Sequence, residues 1–189
     1  MMKATLEDKS LIVNILAKSF ATNKSVGYLI NQEGNKMRRI QLLMKYSFDV
    51  CLQWGDIFLS DNKQGCALIL YPEKKRTNFQ SIFWDLKLAL FSIGLINIAK
   101  ALRRENEIRK RHPTVPFAYL WFIGVDPVLQ GAGVGSSLLE EVIEHSIERN
   151  RSVFLETSTL ENLPWYKKFG FQIYDEVDFG YKLFFLKRV

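Results

Sequence analysis

The sequence predicts an α/β (α+β) fold in one domain spanning residues 1–189. Three observations predict it. A strand, an amphipathic helix and a second strand follow one another between Phe117 and Thr157. That β-α-β order makes the two strands parallel neighbours. Ile57–Leu59 with Cys66–Tyr71, and Phe171–Tyr174 with Tyr181–Lys187, read as antiparallel pairs. The composition is globular as well: 48% of the 189 residues are hydrophobic and 24% charged. This excludes a disordered, collagenous or coiled-coil chain. A chain of this length buries roughly 70% of its extended surface, enough for a core without disulfides or metals.

Taken in order, Lys3–Leu6 reads as a short first strand. Asp8–Phe20 reads as a helix, with Leu11, Ile12, Ile15, Leu16 and Phe20 on one stripe. A second helix covers Lys36–Trp54, with Ile40, Leu43, Met44, Tyr46 and Cys51 as its apolar positions. The hairpin turns at Asp61-Asn62-Lys63-Gln64-Gly65, and Pro72 ends its second strand. Phe79–Arg111 reads as helical with a basic tail, closed by Pro113 and Pro116. Within it, Leu88–Ala99 is apolar but for Ser92 and Asn97. A membrane span needs about 20 such residues, so this is a buried or substrate-lining helix. Trp84, Phe83 and Phe91 are candidates to line an acceptor pocket.

Phe117–Val125 is apolar almost throughout, as a central strand covered on both faces should be. Asp126-Pro127 ends it. The next helix, Gly133–Asn150, sets Val134, Leu138, Leu139, Val142, Ile143 and Ile147 against Glu140, Glu141, Glu144 and Glu148. Ser152–Thr157 is the following strand. Leu163–Phe169 is a short helix stopped by Gly170.

The net charge is +6. Such a balance suits nucleic acid, a membrane surface or an anionic small ligand. Lys100, Arg103, Arg104, Arg109, Lys110 and Arg111 cluster, and read as a solvated helix end. No nucleic-acid module accompanies them, so neither a nucleic-acid nor a membrane partner is expected. His112 and His145 read as solvated. Cys51 and Cys66 read as core thiols, and with two His and no CxxC they make no metal site. The first residues show no signal-peptide core. A cytoplasmic location is expected, as monomer or homodimer.

The informative stretch is Val125-Asp-Pro-Val-Leu-Gln130-Gly-Ala-Gly133-Val-Gly135-Ser136. Three glycines at alternate positions uncover successive backbone N–H groups, which can form an anion-binding nest. The helix start behind them adds about half a positive charge. Phosphate or pyrophosphate is the natural ligand. The alternative is a tight turn that needs small residues for packing. A Walker A loop is excluded, because no Gly-Lys-Ser/Thr follows. A dinucleotide fingerprint fits poorly. Its third glycine falls at Ser136, and too little chain remains after Gly135 to complete a doubly wound sheet.

Gln130-x-x-Gly133-x-Gly135 resembles the Q/R-x-x-G-x-G/A motif of the GNAT superfamily of acyl-CoA-dependent N-acyltransferases. Ile123-Gly124-Val125-Asp126-Pro127, Phe154-Leu155-Glu156-Thr157-Ser158, Asn162-Leu163-Pro164-Trp165-Tyr166 and Phe169-Gly170-Phe171 are similar to it too, closest to its puromycin N-acetyltransferase-like branch. The resemblance covers about Phe117 to Phe171. It implies a mixed, mostly antiparallel sheet whose parallel strands splay apart to receive acetyl-CoA. The pantetheine arm would pair with Ile123, Gly124 and Val125. The pyrophosphate would sit on Gln130, Gly131, Ala132, Gly133, Val134, Gly135 and Ser136, with Asn162 contacting the cosubstrate.

The resemblance also implies the chemistry. The Val125 N–H would polarise the thioester, and Tyr166 would protonate the leaving thiolate. Some members carry a Glu where Tyr119 stands. A tyrosine is a poor base at neutral pH, so Tyr119 would order a water or touch substrate, and Glu156 would act as base through water. The implied activity is acetyl transfer to a small-molecule amine. The alternatives are a protein lysine or N-terminal acetyltransferase, or a non-catalytic acyl-CoA sensor.

Overall fold

The computed structural model describes residues 1–31, 33–94 and 97–189. Seven strands form one sheet: β1 (Met2–Lys3), β2 (Gly55–Leu59), β3 (Gly65–Leu70), β4 (Ala118–Val125), β5 (Val153–Thr157), β6 (Gln172–Asp178) and β7 (Lys182–Arg188). Their order is β1-β2-β3-β4-β5-β7-β6. Every neighbouring pair is antiparallel except β4–β5.

The helices are α1 (Lys9–Ser19), α2 (Lys24–Leu29), α3 (Lys36–Trp54), α4 (Phe79–Leu88), α5 (Ile98–Arg109), α6 (Val134–Ile147) and α7 (Leu163–Lys168). α1 and α3 cover one face of the sheet, where Ile12, Leu16, Met44 and Phe48 meet Tyr119, Phe122 and Phe154. α6 covers the other, where Leu138, Leu139 and Val142 meet Ala118, Leu120 and Leu155. β4 therefore contributes to both cores, as its unbroken apolar run requires.

Several expectations shift. The first strand is Met2–Lys3, because Thr5 starts a 3-10 turn, its N–H and hydroxyl bonding the Asp8 carboxylate at 2.9 and 3.2 Å. α2 was not foreseen; the Asn23 side chain caps it by accepting the Val26 N–H at 3.0 Å. Leu88–Ala99 is not one helix. α4 ends at Leu88, a π-turn covers Ala89–Ile93, and Gly94 at φ +78° redirects the chain before α5. Leu95 and Ile96 lie outside the described residues. On α6, Ile147 is 55% exposed and Ser146 takes the buried position instead.

His145 is not solvated. Its side chain is 13% exposed, with Nε2 3.1 Å from Asp56 Oδ2. The Tyr71 hydroxyl donates to that oxygen at 2.8 Å, and Lys3 Nζ sits 2.6 Å from Oδ1. This polar junction ties β1, β2 and the end of β3 to α6. Burial opposes the Asp56 charge, but Lys3, Tyr71 and His145 outweigh it and hold the carboxyl below its ordinary range.

Candidate active site

The site begins where two strands part. β4 and β5 share only the pairs Ala118–Val153 and Tyr119–Phe154. Beyond them β4 stays on β3 up to Val125, and β5 stays on β7. The Asp126 N–H bonds the Gln64 carbonyl across β3 at 2.9 Å. By the two-residue alternation of an antiparallel ladder, Gly124 also faces β3, while Ile123 and Val125 face the gap. The Ser19 hydroxyl takes the Val125 carbonyl at 2.6 Å. β4 therefore offers the gap both backbone groups of Ile123 and the Val125 N–H.

The glycine turn closes one end of this wedge. Gly131 and Gly133 adopt φ +90° and +82°, and a Cβ on either would meet nothing within 4 Å. Packing therefore does not demand glycine at these two positions; the left-handed backbone does. Among the described residues, no partner takes the N–H groups of Gly131 through Gly135. They surround the start of α6, where an anion is stabilised. The Trp165 indole N–H bonds Ser136 Oγ at 3.0 Å and ties α7 to this turn.

Ionisable groups gather where the strands diverge. Glu156 follows Phe154 on the same face of β5, beside Tyr119. The Tyr119 hydroxyl donates to Glu156 Oε2 at 2.5 Å, and His112 Nε2 lies 3.1 Å from Oε1. The Glu156 and His112 side chains are 4% and 14% exposed. The His112 ring packs 5.0 Å from Phe117 and 4.9 Å from Tyr119, so it is not the solvated loop histidine its basic neighbours suggested. Burial, then the Glu156 charge, pushes the Tyr119 phenol well above its usual value, so Tyr119 is a donor here.

Arg104 completes the cluster, donating to Tyr181 Oη at 3.1 Å and to Ser25 Oγ at 2.7 Å. Burial alone would lower its pKa; Tyr181, Tyr119 and Glu156 raise it above the ordinary value. Together with Arg111, bonded to Asp175 at 2.7 Å, it shows that the basic cluster is partly built into the fold.

A cavity of about 1500 Å³ joins the turn, the wedge and this cluster. The segment 93–173, which holds β4, the glycine turn, α6, β5 and α7, matches the family described as acetyltransferase (GNAT) domain. That match spans 81 of the 189 residues and is a similarity to the family over this segment. Three solved structures share its fold. One is the C-terminal condensation domain of Ebony in complex with beta-alanyl-dopamine, with TM-score 0.73, 12% identity, and 99% of this chain and 96% of that one covered. Another is a histone acetyltransferase HPA2 and related acetyltransferase from Corynebacterium glutamicum, with TM-score 0.69, 18% identity, and 98% and 93% covered. The third is arylalkylamine N-acetyltransferase 2 from Aedes aegypti, with TM-score 0.65, 17% identity, and 100% and 97% covered.

The wedge has the features an acyl-CoA would need. The free N–H groups at the turn suit a diphosphate, and the open edge of β4 suits the amides of a pantetheine chain. Gln130, Gly131, Gly133, Val134, Gly135, Ser136, Ile123, Gly124, Val125 and Asn162 all line the cavity. Ala132 does not; it is exposed between the two left-handed glycines. Asn162 precedes α7 but its side chain makes no capping bond, which leaves its amide available to a ligand.

At the far end of the cavity, residues before the matched segment join residues within it. Tyr46, Leu88, Trp121 and Phe122 form an aromatic and apolar wall, with Asp85, Glu105 and Glu156 as its carboxylates. The Tyr46 hydroxyl donates to Asp85 at 2.7 Å, and the Tyr46 ring meets Trp121 edge-on at 6.1 Å. Trp84, Phe83 and Phe91 do not line it. Trp84 packs on Trp54 at 6.2 Å, while Phe83 and Phe91 are 62% and 59% exposed. The helix turns the other way, and Ser81, Asp85 and Leu88 face the cavity.

Proposed function

We propose that this chain acetylates the amine of a small molecule carrying an aromatic or apolar body, by direct attack on the thioester of acetyl-CoA. The observation that carries the reading is the continuity of one cavity from free turn amides to an aromatic wall edged with carboxylates. The carboxylates would pair a cationic amine beside the basic Lys24, Lys75, Arg76, Arg104 and Arg109 that also line the cavity, and the rings hold its body. An arylalkylamine N-acetyltransferase and a domain bound to beta-alanyl-dopamine share this fold and support the reading, as does the branch-level resemblance in the second half.

The residues divide the work as follows. With His112 Nε2–H donating to Glu156, Nδ1 keeps its lone pair and can take the proton of the attacking amine; Glu156 fixes the ring and supports its charge. The Val125 N–H donates to the oxygen that turns anionic as the C–N bond forms, a role worth on the order of 3 kcal/mol elsewhere. The C–S bond then breaks, and Tyr166 gives its proton to the departing thiolate.

The test is thiol release from acetyl-CoA with phenylethylamine- and indole-type amines set against lysine peptides. Turnover with the aromatic amines is expected. Turnover with peptides alone would move the acceptor to proteins, and acetyl-CoA binding without thiol release would make the chain a sensor. His112→Ala is expected to lower kcat about tenfold, because Glu156 can still accept a proton through water. Added imidazole should recover much of the loss, and acetyl-CoA affinity should stay unchanged. An unaltered kcat would remove His112 from the proton path.

A further inference from the structure

α4 is apolar on both sides. Ser81, Trp84 and Leu88 turn inward, while Phe79, Ile82, Phe83, Leu86 and Leu90 recur at helical spacing on the outer side, with Phe91 beyond them. Their exposures run from 43% at Leu90 to 93% at Phe79. A water-facing surface rarely leaves so long an apolar row bare, so something covers it.

The charges around the row decide what. Lys74, Lys75 and Arg76 are exposed on the approach to α4, and Lys87 is exposed on its flank. Lys100 and Arg103 are exposed further along, and between Lys74 and Arg103 the one acidic side chain is Asp85, which is engaged by Tyr46. A second copy of the chain would set two such basic rims against each other. An anionic bilayer surface suits both features: the headgroup boundary receives the Phe, Ile and Leu side chains, and the lipid phosphates meet Lys and Arg.

We propose that α4 docks this protein on anionic membranes, lying in the interfacial layer with its apolar row buried. No single helix among the described residues is long and apolar enough to cross a membrane; Phe79–Ile93 and Ile98–Arg109 pass that test only together, by length and composition, across a 120° bend, and the proposal is attachment to one leaflet. It departs from the reading of the sequence, which gave the basic charge no lipid partner. Because the inner side of α4 lines the amine end of the cavity, docking sets that end beside the bilayer. The inference does not depend on the transferase reading.

Co-sedimentation of the full chain with phosphatidylcholine vesicles, with and without about one third phosphatidylglycerol, tests it. Binding is expected only to the anionic vesicles, weakening as salt rises. The pair Phe79→Ser and Phe83→Ser should weaken it at least about tenfold, as should Lys74→Glu, Lys75→Glu and Arg76→Glu together. These positions are exposed, so the variants should keep the parent's melting temperature; thermal melts verify this. No binding to anionic vesicles, or binding that both variants leave intact, overturns the proposal. So does light scattering that shows a dimer which Phe79→Ser with Phe83→Ser converts to monomer, because the row is then covered by a second copy. Vesicle binding by a chain that releases no thiol would uphold docking while removing the transferase reading.

Discussion

Replacing Tyr166 by Phe is expected to lower kcat about 10²- to 10³-fold and to leave acetyl-CoA binding within about threefold. The side chain is placed for this result to be clean. Its ring is 5% exposed and packs against Trp165 at 4.7 Å and Phe171 at 5.5 Å. Phenylalanine keeps those contacts. Among the described residues the hydroxyl has no hydrogen-bond partner, and Tyr166 lines the cavity. Removing it leaves no buried group unsatisfied, so stability should barely change. Burial raises the phenol's pKa above its ordinary value, which keeps the proton in place through the neutral range. Steady-state kinetics alongside calorimetric titration of acetyl-CoA separates the two effects. A kcat within threefold of the parent's would mean the thiolate leaves without help from this residue.

The second large effect is on stability. Asp56→Ala is expected to cost about 3 kcal/mol, or roughly 6–12 °C in melting temperature for a chain of this size. The carboxylate is 8% exposed and receives Lys3, Tyr71 and His145. Deleting it removes the charged acceptor that the last two share, leaves them only their 3.4 Å contact with each other at that spot, and unties α6 from β2. The pH dependence has a definite sign. The folded pKa is lowered, so the stabilisation is complete above the unfolded value of about 4. It is lost as the pH falls through the folded value below that. The parent's melting temperature should therefore drop faster than that of Asp56→Asn on acidification below about pH 4. Parallel curves would mean that the junction does not select the charged carboxylate.

What the sequence displays depends on contrast. α3 runs from Lys36 to Trp54, the limits its periodicity gives, because polar and apolar residues alternate on its two sides. β4 and the glycine turn are equally legible, one as an unbroken apolar run and the other as alternating glycines between two clear elements. α4 is opaque for the opposite reason. With apolar residues inside and outside, no stripe marks which side faces the cavity, and Phe83 and Phe91 were placed on the wrong one. α2 is too short for any period. His112 was hidden by distance along the chain: its partners Tyr119 and Glu156 come from two strands, and Glu156 is 44 residues away. The basic residues beside His112 advertise solvent, and nothing local signals that the loop folds back. His145 is hidden in the same way, since the acid that holds it lies 89 residues off on β2.

The brevity of the β4–β5 pairing has a mechanical side. Two adjacent residue pairs are the whole seam between a sub-sheet of β1 to β4 and one of β5 to β7. If the halves flex about it, displacement grows with distance from the stitch, so the mouth at the glycine turn swings furthest. Tyr119 belongs to the stitch itself, and Glu156 stands two residues past it. On the proposed chemistry, the groups that handle protons would then sit near the pivot and hold their spacing while the entrance widened or narrowed around an arriving molecule.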